Sequence, residues 1–321
     1  MLKNIRLWLS LLRAVNLLFL ALTLTFFYYC LIVPNHYHQL YTKLLPLTTI
    51  DFVLFVVSVM LVAAAGNIIN DYYDFELDRA HKPHRALPQG LISLNTALLL
   101  HAVLAITGIG IAFYISYSYN YSPMEYVYML AVLLLYAYAS SLKKVAFAGN
   151  VLIALLTATP LWLLFLMEVK FLATIHFEFA PRILGLIRNA VIFYSGFAFL
   201  TNLARELVKD LQDEEGDKEF GINTLPVLYG TNTARWIAAL ILLTMLSGLG
   251  YFMKGFWDMR AMKEFFYLLT LVVVPTIGAI GLIFTAKNNA QWGIVSALLK
   301  FIMLAGIGSM PAFYYFGKGD L

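Results

Sequence analysis

The chain has 321 residues, of which 61% are hydrophobic and only 12% charged. A soluble globular domain carries about twice that share of charge, so a water-soluble protein is excluded. The formal net charge of +4 is too small to point to nucleic acid and fits the basic loops of a membrane protein.

Apolar runs of roughly 18 or more residues recur along the whole length, each long enough to span a bilayer as a helix. A transmembrane barrel would instead show alternating segments of about 10 residues. The pattern predicts an all-α polytopic membrane protein with nine spans, at 12–33, 52–70, 91–117, 124–141, 148–168, 185–208, 232–252, 264–285 and 293–316. The stretch Leu2–Val33 is too long for a signal-peptide core and lacks a small-residue cleavage site, so it is expected to stay as a helix. Cys30 is the one cysteine, which excludes an internal disulfide. Connections are short, so residues 1–321 are expected to form a single domain.

Charge placement predicts the orientation. With the N-terminus inside, Lys3, Arg6, Arg13, Arg79, Lys82, Arg85, Lys143, Lys144, Arg205, Lys209, Lys218, Arg235 and Lys287 share one side. Lys43, Lys170, Arg182, Arg188, Lys254, Arg260, Lys263 and Lys318 fall on the other, and Lys300 lies inside a span. The excess predicts a multi-pass protein of the cell membrane with a cytoplasmic N-terminus. Loops 2–3, 4–5 and 6–7 then share the cytoplasmic face.

The acidic residues are unevenly spread. Eleven of the 18 Asp and Glu fall in two windows, 71–78 and 206–219, both at predicted cytoplasmic helix ends. The first window spaces Asn67, Asp71, Asp74 and Asp78 by steps of 4, 3 and 4. The second repeats those steps with Glu206, Asp210, Asp213 and Asp217. On a helix each set occupies an arc of roughly 60°, and Asn70 adds a polar group beside the first. Leu87-Pro88 and Gly90 follow the first window, with Ser93 as a helix cap; Leu225-Pro226 and Gly230 follow the second. Solvated helix ends have no reason to repeat a spacing. The repeat suggests two related motifs facing one shared cavity.

Carboxylates one helical turn apart suit a hard divalent cation such as Mg²⁺, which takes oxygen ligands and completes its shell with water and substrate phosphate. Two such faces suit a metal-bound diphosphate whose lipid tail lies among the spans. Basic residues flank both windows: Arg79, Lys82 and Arg85 beside the first, Arg205 and Lys209 beside the second. Lys82 and Arg85 read as phosphate ligands, whereas Arg205 suits a structural ion pair equally well. Pro83 is expected to end the preceding helix. Loop 4–5 holds Tyr138, Lys143, Lys144, Gly149 and Asn150, of which Lys143 is the candidate for substrate. Arg13 and Asn16 end the first span, where a helix-packing hydrogen bond is the simpler reading for Asn16. His36 and His38 outside, and His81 and His84 in loop 2–3, make no zinc pattern.

These residues resemble the signatures of the UbiA superfamily of intramembrane prenyltransferases. Asn70-Asp71, Asp74, Asp78-Arg79, Lys82-Pro83, Arg85, Pro88 and Gly90 are similar to its first signature. Tyr138, Lys143 and Gly149-Asn150 are similar to the middle one, and Arg205-Glu206, Lys209-Asp210, Asp213, Gly216-Asp217 and Thr224-Leu225-Pro226 to the second aspartate motif. Ala86 and Ala139-Ser140-Ser141 depart from the usual prolines. The resemblance implies nine helices around a central cavity capped by cytoplasmic loops, and Mg²⁺-dependent transfer of a prenyl group from a prenyl diphosphate. It implies metal-serving roles for Asn70, Asp74, Asp78, Asp213 and Asp217, with Asp71 and Asp210 joining or supporting them. Lys82, Arg85, Tyr138 and Lys143 would act on the diphosphate, with Arg79, Arg205 and Lys209 as further contacts. The second motif is most similar to the branch that geranylgeranylates geranylgeranylglyceryl phosphate, a lipid-soluble acceptor; the other main branch prenylates aromatic rings such as 4-hydroxybenzoate. The general base is not identified by sequence: released diphosphate and a motif carboxylate are both candidates. A cation transporter and a lipid-binding scaffold are the rival readings. Transport sites usually lie near the bilayer midplane, whereas these acids cluster at helix ends.

Overall fold

The computed structural model describes residues 2–35, 45–174 and 180–318. His36, His38 and Lys43 lie outside the described residues. Every regular element among the described residues is helical. Eight helices among the described residues are long and apolar enough to cross a membrane. The span expected at 124–141 forms a shorter apolar helix, Met124–Ser140, of 17 residues.

In chain order the α-helices are α1 Leu2–Leu11, α2 Ala14–Phe27, α3 Thr49–Tyr73, α4 Phe75–His81, α5 Leu94–Tyr119 and α6 Met124–Ser140. They continue with α7 Ala148–Thr174, α8 Ala180–Glu219, α9 Leu225–Tyr229, α10 Thr231–Asp258, α11 Met262–Leu268, α12 Val274–Thr285 and α13 Asn289–Lys318. Contacts divide the chain into two compact units. The first holds Met1–Thr25, Leu44–Lys144 and Leu166–Phe177; the second holds Phe26–Lys43, Val145–Phe165 and Glu178–Leu321.

The first unit is built on α3, which packs most extensively on α5 and also on α6. Apolar side chains gain nothing against one another in lipid, so close backbone approach and buried polar contacts hold such helices together. Gly108 of α5 provides the close approach: a Cβ there would stand 2.9 Å from Val62 Cγ2 and 3.1 Å from the Ser58 carbonyl of α3. Tyr128 of α6 meets Ser58 at 2.7 Å, and the His101 ring of α5 meets the Ala65 carbonyl at 2.9 Å. Helix ends are set by sequence. Ser93 Oγ accepts from the Thr96 amide at 3.1 Å, the cap its position predicts. α4 stops at His81, before Pro83.

The second unit centres on α8, a single 40-residue helix. At 1.5 Å per residue it is about 60 Å long, roughly twice the hydrocarbon thickness of a bilayer. The span expected at 185–208 therefore does not end before the second acidic window; the helix continues through it. α8 packs on α10 and α13, and α12 bridges those two. Tyr194 of α8 meets Ser309 of α13 at 2.9 Å, and Phe193 stacks on Phe252 of α10 with ring centroids 3.9 Å apart. The span expected at 264–285 is interrupted by a π-helical turn, Leu269–Val273, just before Pro275. A π turn takes up the missing proline donor without ending the helix. After each window the shared Leu-Pro diverges: Leu225–Tyr229 coils into the short helix α9 with Pro226 in its first turn, whereas Leu87-Pro88 stays in a turn.

Gly108→Ala is expected to lower stability by about 1–3 kcal/mol through overpacking against α3. Gly110→Ala, whose Cβ meets nothing within 4 Å, is expected to be neutral or slightly stabilising. Thermal unfolding in detergent distinguishes the two; equal melting of both variants contradicts the packing role of Gly108.

Candidate active site

In the first unit the acidic window straddles a kink. α3 ends at Tyr73, and Asp74 joins it to α4 with φ −88° and ψ 3°. The Asp74 amide still donates to the Asn70 carbonyl at 3.0 Å, and the Asp78 amide to the Asp74 carbonyl at 2.8 Å. The helical hydrogen-bond register therefore survives the kink.

Three cations are drawn onto this window. Asp71 accepts from Arg13 at 3.0 Å and lies 3.7 Å from Arg85. Asp78 accepts from the same Arg85 guanidinium at 2.6 Å. Asp74 pairs with Lys143 through one carboxylate oxygen and accepts from Asn70 Nδ2 at 2.8 Å through the other. Asp71 and Asp78 are only 6% and 2% exposed. Charges so buried persist only when paired or coordinated. Burial pushes the Asp78 carboxyl above the usual carboxylate range, and the Arg85 charge and hydrogen bond draw it part of the way back. Asp71 and Asp74 lie close enough for their charges to act on it too.

Arg13 reaches Asp71 from the start of the first predicted span, which runs from Ala14 to Asn35. The stretch Leu2–Val33 was expected to stay as a helix; it breaks where α1 stops at Leu11 and Arg13 takes a left-handed φ of 51°. An L-residue adopts that conformation at a cost of about 1–2 kcal/mol. α3 holds the break with two side chains one turn apart: Asn67 Nδ2 donates to the Leu12 carbonyl at 3.0 Å, and Asp71 takes the Arg13 guanidinium.

In the second unit the window lies on unbroken α8. Asn150, at the start of α7, donates to Asp210 at 2.7 Å. Thr224 donates to buried Asp217 at 3.2 Å, and Thr231 to both oxygens of Glu214 at 3.0 Å. The charges of Asp217 and Glu206 reach Asp210, and Asp213 lies half-buried between them in sequence. Glu206 holds Lys209 at 2.6 and 2.8 Å and Arg205 at 3.1 Å.

The remaining predicted residues are placed as follows. Lys82 caps the end of α4, and Tyr138 is half-buried in the last turn of α6. Arg79 is exposed, and among the described residues no carboxylate pairs with it. Sequence reasoning left two functional contacts out of the site. Arg13 was noticed only as a helix-end residue, and Asn150 only as part of the middle signature. The step Arg13-xx-Asn16 beside the Asn67-xxx-Asp71 face was the available signal for the first; nothing local pointed Asn150 at Asp210.

Among the described residues no three His, Cys, Asp or Glu side chains converge into a finished metal cage. The donors are oxygen-only and lie along α3, α4 and the joint between them, and along α8. That suits an ion that keeps water and takes ligands from a phosphate, and it does not suit zinc.

The UbiA prenyltransferase family model matches residues 40–304. The chain is 31% identical over 273 residues to digeranylgeranylglyceryl phosphate synthase of Methanosphaera stadtmanae, covering 84% of this chain and 88% of that one. A solved structure of a digeranylgeranylglyceryl phosphate synthase superposes with a TM-score of 0.60 at 26% identity, over 96% of this chain and 99% of the other. A UbiA homologue from Archaeoglobus fulgidus, solved with DMAPP and Mg²⁺, shares the fold at a TM-score of 0.58 and 20% identity, over 94% and 99% of the two chains. This chain belongs to the UbiA prenyltransferase family and is an integral membrane prenyltransferase.

Asn67→Ala removes the donor to the Leu12 carbonyl, and stability is expected to fall by about 1–3 kcal/mol. Thermal unfolding in detergent checks it; an unchanged melting point contradicts the role of Asn67 at the break.

Proposed function

We propose that this prenyltransferase transfers a geranylgeranyl group from a Mg²⁺-bound prenyl diphosphate to the free hydroxyl of geranylgeranylglyceryl phosphate, in ether-lipid synthesis. The observation that carries this reading is the spacing repeat at 71–78 and 210–217 in a chain 31% identical to a digeranylgeranylglyceryl phosphate synthase over most of both lengths. Geranylgeranyl as the donor and a glycerol lipid as the acceptor rest on the names of such relatives. The DMAPP and Mg²⁺ of the Archaeoglobus protein support the cofactor.

In this reading Asn70, Asp71, Asp74 and Asp78 of the first window, and Asp210, Asp213 and Asp217 of the second, hold the metal. Mg²⁺, when bound, supplies the positive charge that neutralises the diphosphate as its allylic C–O bond breaks. Lys143 and Arg85 already stand on the carboxylates of the first window. In this reading they would pass from carboxylate to phosphate oxygen when the diphosphate binds, with Lys82 and Tyr138 completing the set. Arg85 offers a planar fork and Lys143 a compact charge, a pairing suited to phosphate. Lys209, bound to Glu206, orients that carboxylate, and exposed Arg79 is a peripheral contact. The apolar spans shield the allylic cation from water, and the hydroxyl that captures it loses its proton to released diphosphate or to a motif carboxylate. The windows face the cytoplasm of the cell membrane, as the distribution of Lys and Arg suggests.

Asp78→Ala and Asp213→Ala are each expected to lower transfer at least about 100-fold while the protein still inserts in the membrane. Activity is read with purified enzyme, Mg²⁺ and geranylgeranyl diphosphate, offering geranylgeranylglyceryl phosphate and 4-hydroxybenzoate together and weighing the product by mass spectrometry. Near-normal transfer by either variant sinks the metal assignment, and an aromatic product overturns the acceptor.

A further inference from the structure

Asn150 is neither a metal ligand nor a diphosphate contact in the proposed function. It stands in the first turn of α7, and its Nδ2 donates across to Asp210 Oδ2 of α8 at 2.7 Å. Among the described residues that is the one hydrogen bond the Asp210 carboxylate receives, and no cation pairs with it. Asp217, by contrast, takes a hydrogen bond from Thr224, seven residues along its own chain.

The entry to α7 sets this contact. Phe147, immediately before the helix, takes a left-handed φ of 64°, a conformation that suits glycine and is an outlier for a bulky side chain. Its carbonyl still accepts from the Val151 amide at 3.0 Å, so the strained residue opens the helix. Such strain collects at functional sites. Ala154, one turn beyond Asn150 and on the same face, is fully buried in one apolar cluster with Leu207 and Leu211 of α8. Phe147 and Val151 pack against the same cluster. Leu207 lies one turn before Asp210, and Leu211 directly after it. The apolar contact therefore seats the start of α7 beside Asp210, and the amide lands on the carboxylate.

The donor is neutral, and that has a chemical consequence. Asp71, Asp74 and Asp78 each pair with a cation, which competes with a metal for the same oxygens. An amide takes one oxygen of Asp210 without cancelling the charge, so the second oxygen keeps its attraction for a metal. Mg²⁺ demands near-octahedral geometry, and outer hydrogen bonds that orient a ligating carboxylate are worth about 10–100-fold in metal affinity. We propose that Asn150 is a positioning residue for the metal: it holds the Asp210 carboxylate in the orientation in which its second oxygen meets Mg²⁺. The inference rests on the metal assignment of the proposed function and adds the residue that orients one of its ligands.

The test uses the full chain in detergent, with Asn150→Leu, which keeps the side-chain size and removes the donor, and with Asn150→Ala. Mn²⁺ binding is titrated by electron paramagnetic resonance with an unreactive prenyl thiodiphosphate present, and melting is recorded without metal. Both variants are expected to raise the Mn²⁺ dissociation constant about tenfold or more. The Mg²⁺ concentration that half-activates transfer should rise by a similar factor, and kcat at saturating Mg²⁺ should fall by less. A role in packing alone gives a lower melting point with an unchanged Mn²⁺ constant, and that result overturns the proposal. So does a fall in kcat with no change in metal dependence. If neither variant folds, the bond is a packing contact and the proposal fails. Asp213→Asn, run alongside, separates this failure from failure of the metal assignment. Where wild type binds Mn²⁺ and Asp213→Asn does not, the metal assignment stands and Asn150 is judged on its own variants. Equal binding by wild type and Asp213→Asn sinks the metal assignment, and the positioning role with it.

Discussion

The constraint on which the site depends is the mutual neutralisation of buried charge around Asp71, Asp74 and Asp78. Two of these carboxylates are almost wholly buried, and uncompensated charge at such positions costs several kcal/mol. The first unit meets that cost by bringing Arg13, Arg85 and Lys143 onto them. These cations come from three separate segments: the break between α1 and α2, the loop after α4 and the turn after α6. The same ion pairs therefore fix the positions of three connections. Arg13 in a left-handed conformation and the kink at Asp74 are local costs carried by this network.

The second unit places its acids differently. Asp210, Asp213 and Asp217 lie on one unbroken helix of about 60 Å, roughly twice the thickness of a bilayer core. Asp210 takes its hydrogen bond from the neutral amide of Asn150. One window is thus held by cations that can exchange onto phosphate, and in the other a carboxylate is held by a donor that leaves its negative charge in place. Both features suit a substrate that arrives with a metal and a diphosphate together.

Much of this was legible in the sequence because membrane spans and charged residues are both conspicuous. Eight apolar runs became helices long enough to cross, and Ser93 and Pro83 marked helix ends as their chemistry dictates. What was not legible depends on tertiary partners. No glycine or proline announces the break at Arg13, which Asn67 and Asp71 hold from another helix. The kink at Asp74 lies inside an otherwise regular spacing. Asn150 meets Asp210 across 60 positions. Met124–Ser140 reads as a span by hydropathy but is set shorter by the turns at its ends.

The central claim is that both aspartate windows serve one metal-bound diphosphate. Electron paramagnetic resonance of Mn²⁺ substituted for Mg²⁺, recorded with an unreactive prenyl thiodiphosphate, tests it most directly. The account predicts tight Mn²⁺ binding only when the analogue is present, and its loss in both Asp78→Asn and Asp213→Asn. Equally tight binding without the analogue, or binding that survives replacement of either aspartate, contradicts it.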